Sequence, residues 1–209
     1  MVATLLSDSV ATHERDAMFN LIVKVSPEED AFLESVRAAM EVYFGEDQRR
    51  IDHALQVSLY ARELLSYIDA DPVQTLAAAY LHDIGIPEAE RVHGSSAGNF
   101  QEIEGAPIAE EILAKLNTDD VLASSIVKIV GNHHTSGAID STEFRIIWDA
   151  DALVNFATAL PGKSAAHIES VLQRHMVTEA GYRMARNIFL KDTESHKQCL
   201  TGHRPAILP

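Results

Sequence analysis

Residues 71–85 read Asp-Pro-Val-Gln-Thr-Leu-Ala-Ala-Ala-Tyr-Leu-His-Asp-Ile-Gly, and this stretch decides how the chain is built. Asp71-Pro72 is a helix start. The Asp side chain accepts from the free N–H groups of the first turn, and Pro at the first position has no N–H to lose. The helix then runs through Val73, Leu76, Ala77, Tyr80 and Leu81 and ends on His82-Asp83, with Gly85 and Pro87 as the expected stop. A strongly apolar helix that finishes on two ionisable side chains is suited to aim them across a cleft.

Working outward, the preceding segment at about 47–68 carries the apolar stripes Ile51, Leu55, Leu59 and Val57, Tyr60, Leu64 and reads as a second helix. Before it, Ser26-Pro27-Glu28-Glu29 combines a cap, a first-turn Pro and acids at the positive end of the dipole. That helix is expected to run to Phe44 and stop at Gly45. Residues 1–26 are weakly patterned and read as an arm or a short packing helix. Downstream, residues 88–104 read as an irregular loop marked by Gly94, Ser95, Ser96, Gly98 and Asn99. Further helices are expected at about 106–117, 119–131, 141–160, 164–176 and 179–191, before a polar tail. No run alternates apolar and polar residues as a strand does, so the pattern predicts an all-α bundle.

The chain has 209 residues, enough for one domain with a full core. Its formal net charge of −14 disfavours nonspecific binding to polyanions. It leaves room for a small phosphorylated molecule, because bound divalent ions invert the local potential. Cys199 stands alone, which argues against a disulfide framework or a thiolate zinc site. Asp8, His13, Glu14, Arg15 and Asp16 interrupt the first 25 residues, and no stretch approaches about 20 apolar residues, the length of a membrane helix. A soluble, cytoplasmic protein is expected.

Four observations point to a metal. His53 shares a helix face with Val57, Tyr60 and Leu64. His82-Asp83 ends one apolar helix, and His133-His134 ends another (Val121, Leu122, Ile126, Ile129, Val130). Asp151 falls on the stripe Phe144, Ile147, Trp148, Val154. A lone inward His is more often a hydrogen-bonded core residue, and a lone His-Asp pair means little. An Asp on an apolar stripe, however, costs several kcal/mol unless something positive compensates it. A divalent cation held by imidazoles and carboxylates supplies that compensation. Asp149, with Arg145 and Ala152, is expected on a different face, either exposed or in a supporting position.

The order His53, His82-Asp83-Ile84-Gly85 and Asp149-Ala150-Asp151-Ala152-Leu153 resembles the HD-domain superfamily of helical, metal-dependent phosphohydrolases. The resemblance covers about residues 46–157. It implies an HD-domain helical bundle, with residues 1–45 as an arm and helix packing on the core and 158–209 as C-terminal helices and tail of the same globular unit. It also implies His53, His82, Asp83 and Asp151 as metal ligands. His133-His134 resembles the histidines that subfamilies with two metals add. A His-x-x-x-Gly-Ala segment often supplies another ligand there; the related stretch is Gln101-Glu102-Ile103-Glu104-Gly105-Ala106, and Glu104 is taken to stand in the place of that His, either as a carboxylate ligand or as a helix-start acid ahead of Pro107.

The resemblance thus implies one or two divalent ions, of iron, manganese, zinc, nickel or magnesium. Asp83, His133 and His134 are the expected catalytic side chains, Asp83 bridging the ions and the histidines assisting the leaving group. Arg49, Arg50 and Thr135 are the candidates for substrate contact, and His134-Thr135-Ser136-Gly137 is similar to the His-Thr-x-Gly of HD-type diadenosine tetraphosphate hydrolases. The Lys and Gly-Tyr-Pro that mark cyclic-di-nucleotide phosphodiesterases, and the acidic pair after His-Asp in alarmone hydrolases, are missing beside Ile86-Pro87. The expected partner is a small phosphorylated molecule or nucleotide, with no nucleic-acid polymer and no membrane, and with room for a homodimer. Two further readings stay open: a di-iron oxygenase of HD type, and a non-catalytic metal or nucleotide binder.

Overall fold

The computed structural model describes residues 25–190 apart from Ser136 and Ala138. The expected N-terminal arm and C-terminal tail, with Cys199, lie outside those residues. Within them the chain is helical and forms no strand: α1 Pro27–Phe44, α2 Gln48–Leu65, α3 Pro72–Leu81, α4 Ile86–His93, α5 Gly98–Lys115, α6 Asp120–Val130, α7 Thr142–Ala159, α8 Ala165–His175 and α9 Glu179–Phe189.

The helix starts follow the chemistry read from the sequence. Ser26 and Glu29 close a reciprocal capping box on α1, satisfying two of the donors that a helix leaves free. Asp71 accepts from the Gln74 N–H at the head of α3. Gly45 ends α1 at φ 59°, a conformation open to glycine at little steric cost.

Helix α3 is the centre of the bundle. Eight of its residues, Val73 and then Thr75 through Leu81, are buried, and α1, α2, α6 and α7 pack around it. Helix α2 also packs along α7. Because His53 lies on α2, His82-Asp83 just beyond α3, and Asp151 on α7, this packing brings the expected ligands to one place.

The segment after His82-Asp83 departs from expectation. Residues 88–104 are not an irregular loop. The chain turns at 82–85 and immediately re-enters a helix at Ile86, with Pro87 in the first turn of α4 instead of ending a helix. Proline is tolerated in that position for the same reason it opens α1 and α3. The connection shrinks to Gly94 through Ala97, and α5 begins eight residues earlier than expected, at Gly98. Pro107 sits inside α5. The carbonyl it leaves without an N–H partner belongs to Ile103, a residue 60 % exposed.

Gly85 has a packing role. A Cβ there would lie 2.2 Å from the Gln101 carbonyl oxygen and 2.5 Å from the Gly105 nitrogen. The turn after His82-Asp83 therefore presses backbone to backbone against α5, which only a residue without a side chain allows.

Candidate metal centre

His53, His82, Asp83 and Asp151 converge from α2, from the turn after α3 and from α7. His53 Nε2 is 3.0 Å from Asp151 Oδ1, 3.4 Å from Asp83 Oδ2 and 3.2 Å from His82 Nε2. His82 Nε2 in turn lies 3.5 Å from Asp83 Oδ2 and 3.7 Å from Asp151 Oδ1. The other oxygen of Asp83, Oδ1, faces His133 Nε2 at 3.4 Å. Two groups with the spacing of metal ligands result, one of His53, His82 and Asp151 and one of Asp83, His133 and His134.

Backbone carbonyls set the tautomers. His82 Nδ1 donates to the Ala79 carbonyl at 2.8 Å, and His133 Nδ1 donates to the Val130 carbonyl at 2.7 Å. In the neutral rings both Nε2 atoms therefore carry lone pairs, turned toward carboxylates. His133 Nε2 is buried and has no hydrogen-bond partner. A buried acceptor facing other acceptors is an unfavourable arrangement that a cation relieves, and carbonyl-oriented imidazoles are the usual support of metal-binding histidines. On the chemistry of this donor set, the residues fit a divalent ion.

The electrostatics agree. Burial opposes charge on His82, but Asp83 and then Asp151 outweigh it and push its pKa up to about 9. Burial likewise works to raise Asp83, yet His82 and His133 hold it down at about 2. For Asp151 the imidazoles of His53 and His82 overcome burial and keep the carboxyl well below the usual carboxylate range.

The other expected site residues divide. His134 joins the second group: its N–H donates to Glu102 Oε1 at 2.9 Å and its Nε2 lies 3.0 Å from Gln101 Oε1. Desolvation of its ring, then the neighbouring His133, lower its pKa. Glu104 does not reach either group. Its carboxylate pairs with His93 Nε2 at 2.8 Å, and that imidazole stacks on Phe100. Counting four residues back from Gly105-Ala106 explains why, for the position of the family's extra His is Gln101, and Gln101 is the residue that meets His134. Glu104, one turn further along α5, is instead engaged by His93.

Arg50 spends its guanidinium on Asp47 and on Glu90, where the distance is 2.8 Å, and so ties α2 to α4. Thr135 donates its hydroxyl to Glu102 Oε2 at 2.8 Å. Arg49 is exposed.

Asp149 is neither exposed nor beside the metal groups. It is fully buried and accepts from the Val177 N–H at 2.8 Å, the Thr178 N–H at 2.9 Å and the Thr178 hydroxyl at 2.6 Å. Helices α8 and α9 cover that side of α7, which the 3.6-residue pattern of α7 alone does not reveal. The signal in the sequence was Thr178, the N-cap of α9, together with Gly181, where a Cβ would fall 2.2 Å from Asp149 Oδ2.

Comparison with known proteins places this geometry in a class. The HD domain family matches residues 50–155, the span that holds His53 through Asp151. The chain belongs to the HD-domain family and, with it, to the HD hydrolase superfamily. The crystal structure of a predicted HD superfamily hydrolase from an uncultured Thermotogales bacterium superposes with a TM-score of 0.55 at 26% identity, covering 82% of this chain and 90% of that one. Ribonuclease Y of Treponema pallidum (strain Nichols) is 31% identical over 143 residues, 68% of this chain; the chain spans about a quarter of that protein, 25%. Among the described residues no helix is long and apolar enough to cross a membrane.

Proposed function

We propose that this chain is a metal-dependent phosphohydrolase that cleaves a small phosphoester or nucleotide, with one divalent ion held by His53, His82, Asp83 and Asp151. The observation that carries the reading is the convergence of imidazole Nε2 atoms and carboxylate oxygens within 3.0–3.7 Å, beside the orphaned Nε2 of His133. When bound, such an ion lowers the pKa of a water and neutralises phosphoryl oxygens.

The chain's own groups prepare that chemistry. Ala79 and Val130 fix the rings of His82 and His133 so that each presents a lone pair without searching for an orientation. Asp83 divides its carboxylate, one oxygen toward His53 and His82 and the other toward His133. Neutral His133 has its proton on Nδ1, committed to Val130, and so the residue placed to hand a proton to the leaving group is His134. For the substrate phosphate, Arg49 is the readiest cation. Arg50 would serve only by releasing Glu90, and Thr135 only by releasing Glu102.

Likeness to Ribonuclease Y favours a second reading, in which the scissile bond is an RNA phosphodiester. The net charge of −14 weighs against a polyanionic substrate for this chain acting by itself.

The test is elemental analysis of gently purified protein with a screen over nucleotides, dinucleotides, sugar phosphates and short oligoribonucleotides. At least one bound transition-metal ion per chain and chelator-sensitive release of phosphate or a shortened ester are expected. Asp83→Ala should lose the ion and turnover while its circular dichroism stays helical. Full turnover by metal-stripped Asp83→Ala would overturn the reading.

A further inference from the structure

His134 stands exposed on the turn that follows α6, and two consecutive residues of α5 hold it from different ends. Glu102 is buried, 9% exposed, and divides its carboxylate between two donors of that turn. Its Oε1 accepts from the His134 N–H at 2.9 Å and its Oε2 from the Thr135 hydroxyl at 2.8 Å. A carboxylate taken out of water requires such donors, and these two tie the turn's backbone to α5. Gln101 takes the ring. Its Nε2 donates to the Ser96 carbonyl at 2.7 Å, so the amide oxygen is the end that meets His134 Nε2 at 3.0 Å. Two acceptors cannot share a hydrogen bond. His134 Nε2 therefore carries a proton, and in the neutral ring the lone pair is on Nδ1. That is the reverse of His82 and His133, whose Nδ1 atoms donate to backbone carbonyls. Gly98 closes a third side: a Cβ there would lie 2.8 Å from Cδ2 and Cγ of the His134 ring.

We propose that Gln101 and Glu102 are positioning residues for His134, fixing its backbone, its ring and its tautomer so that Nδ1 is the nitrogen that serves the leaving group. This rests on the phosphohydrolase reading above, in which His134 hands a proton to the leaving oxygen, and it accounts for how an exposed imidazole keeps one orientation. The P–O bond breaks with its electrons staying on the leaving oxygen, and that oxygen takes the Nδ1 proton of the charged ring. The ring is left in the Nε2–H form that Gln101 already holds. An imidazole without these contacts would spread over several rotamers and both tautomers. Misplacement of a reacting group by about 1 Å costs on the order of a hundred-fold in rate.

Metal-free full-length protein gives the first readout. Nitrogen NMR of the imidazoles should show His134 in the Nε2–H form, and Gln101→Met, which keeps the length but removes the acceptor, should admit the other tautomer. Gly98→Ala leaves both positioning residues in place and pushes the ring aside, so it should move the same resonances. The second readout is leaving-group dependence in the metal-loaded protein, with phenyl phosphate and p-nitrophenyl phosphate as probes. Glu102→Ala and Gln101→Met should lower kcat on phenyl phosphate roughly ten- to a hundred-fold, with KM and metal content unchanged. The loss on p-nitrophenyl phosphate should be far smaller, because p-nitrophenolate departs without a proton. Glu102→Gln can still accept from the His134 N–H and donate to Thr135, and should recover most of the loss. Should Glu102→Ala fail to fold, Gln101→Met and Gly98→Ala carry the comparison. His134 resonances indifferent to both of those changes, or equal losses on the two esters, would overturn the positioning role and leave the phosphohydrolase reading standing. No turnover of either ester by the unmodified protein, with His134 in a fixed tautomer, would instead overturn that reading and the service of Nδ1 with it.

Discussion

Asp149 and Asp151 stand two residues apart on α7, and the protein neutralises them by different means. Asp149 faces inward, covered by α8 and α9, and receives three hydrogen bonds from Val177 and Thr178. Asp151 faces the junction with α2 and α3 and meets imidazoles, with Asn155 Nδ2 donating to its Oδ1 at 2.9 Å. Their acidities separate accordingly. Burial, only partly offset by its hydrogen bonds, raises the pKa of Asp149, whereas His53 and His82 lower that of Asp151. A carboxylate met by neutral N–H dipoles holds the structure together; one met by basic rings is available to exchange a proton for a metal ion.

The sharpest way to break this contrast is Asp149→Ala. It strands three donors in a covered position, and loss of a buried hydrogen-bonded network costs about 3–5 kcal/mol. Thermal or urea denaturation should register that loss, with ion affinity unchanged at temperatures where the variant stays folded. Asp151→Asn should do the reverse. Ion affinity should fall on the order of a hundred-fold by calorimetry, since a charged ligand is lost, while the metal-free protein loses the pairing of Asp151 with His53 and His82 but keeps the three hydrogen bonds on Asp149. Equal effects of the two substitutions on both readouts would erase the distinction.

A pH series sharpens it. In metal-free protein the depressed carboxyls Asp83 and Asp151 contribute stability that is present above their unfolded pKa near 4 and lost as pH falls below it. His82, raised to about 9, contributes stability present below about 6.5 and lost as pH climbs through 9. Asp149 works in the opposite sense to Asp151, its raised pKa favouring the protonated form. The metal-free protein should therefore be most stable between about pH 4 and 6.5. Ion binding must displace the His82 proton, so apparent affinity should rise about ten-fold per pH unit between 7 and 9 and then level off. A flat affinity over that range would contradict the pairing of His82 with the two carboxylates. The smallest effect is expected from Trp148→Phe, which gives up the bond from the indole N–H to the His175 carbonyl. It should cost about 1 kcal/mol and leave ion binding alone.

Helix starts were legible in the sequence because their chemistry is local. Ser26 with Glu29 and Asp71 with Pro72 satisfy donors within a single turn. The two ends of the site, His53 and Asp151, were legible because a polar group on an apolar stripe demands a reason. The α4–α5 boundary was not, since Pro87 and Pro107 look like breaks although one opens a helix and the other lies inside one. Asp149 was misplaced because its partners lie 28 and 29 residues away, in the connection between α8 and α9, whose packing on α7 no periodicity encodes. Glu104 was taken to stand in the place of a His, and its carboxylate pairs instead with His93 on α4, a partner eleven residues away that no local pattern reveals.

Helix α3 carries a consequence for how the molecule breathes. Eight of its ten residues are buried, and His82-Asp83 follow directly from its last turn. Amides of α3 can exchange with solvent only when much of the bundle opens, so their exchange rates should report global unfolding, while α8 and α9 exchange through smaller openings. An ion bound at the end of α3 would then slow exchange at its slowest sites most directly, because detaching the ligands and opening the core are one event.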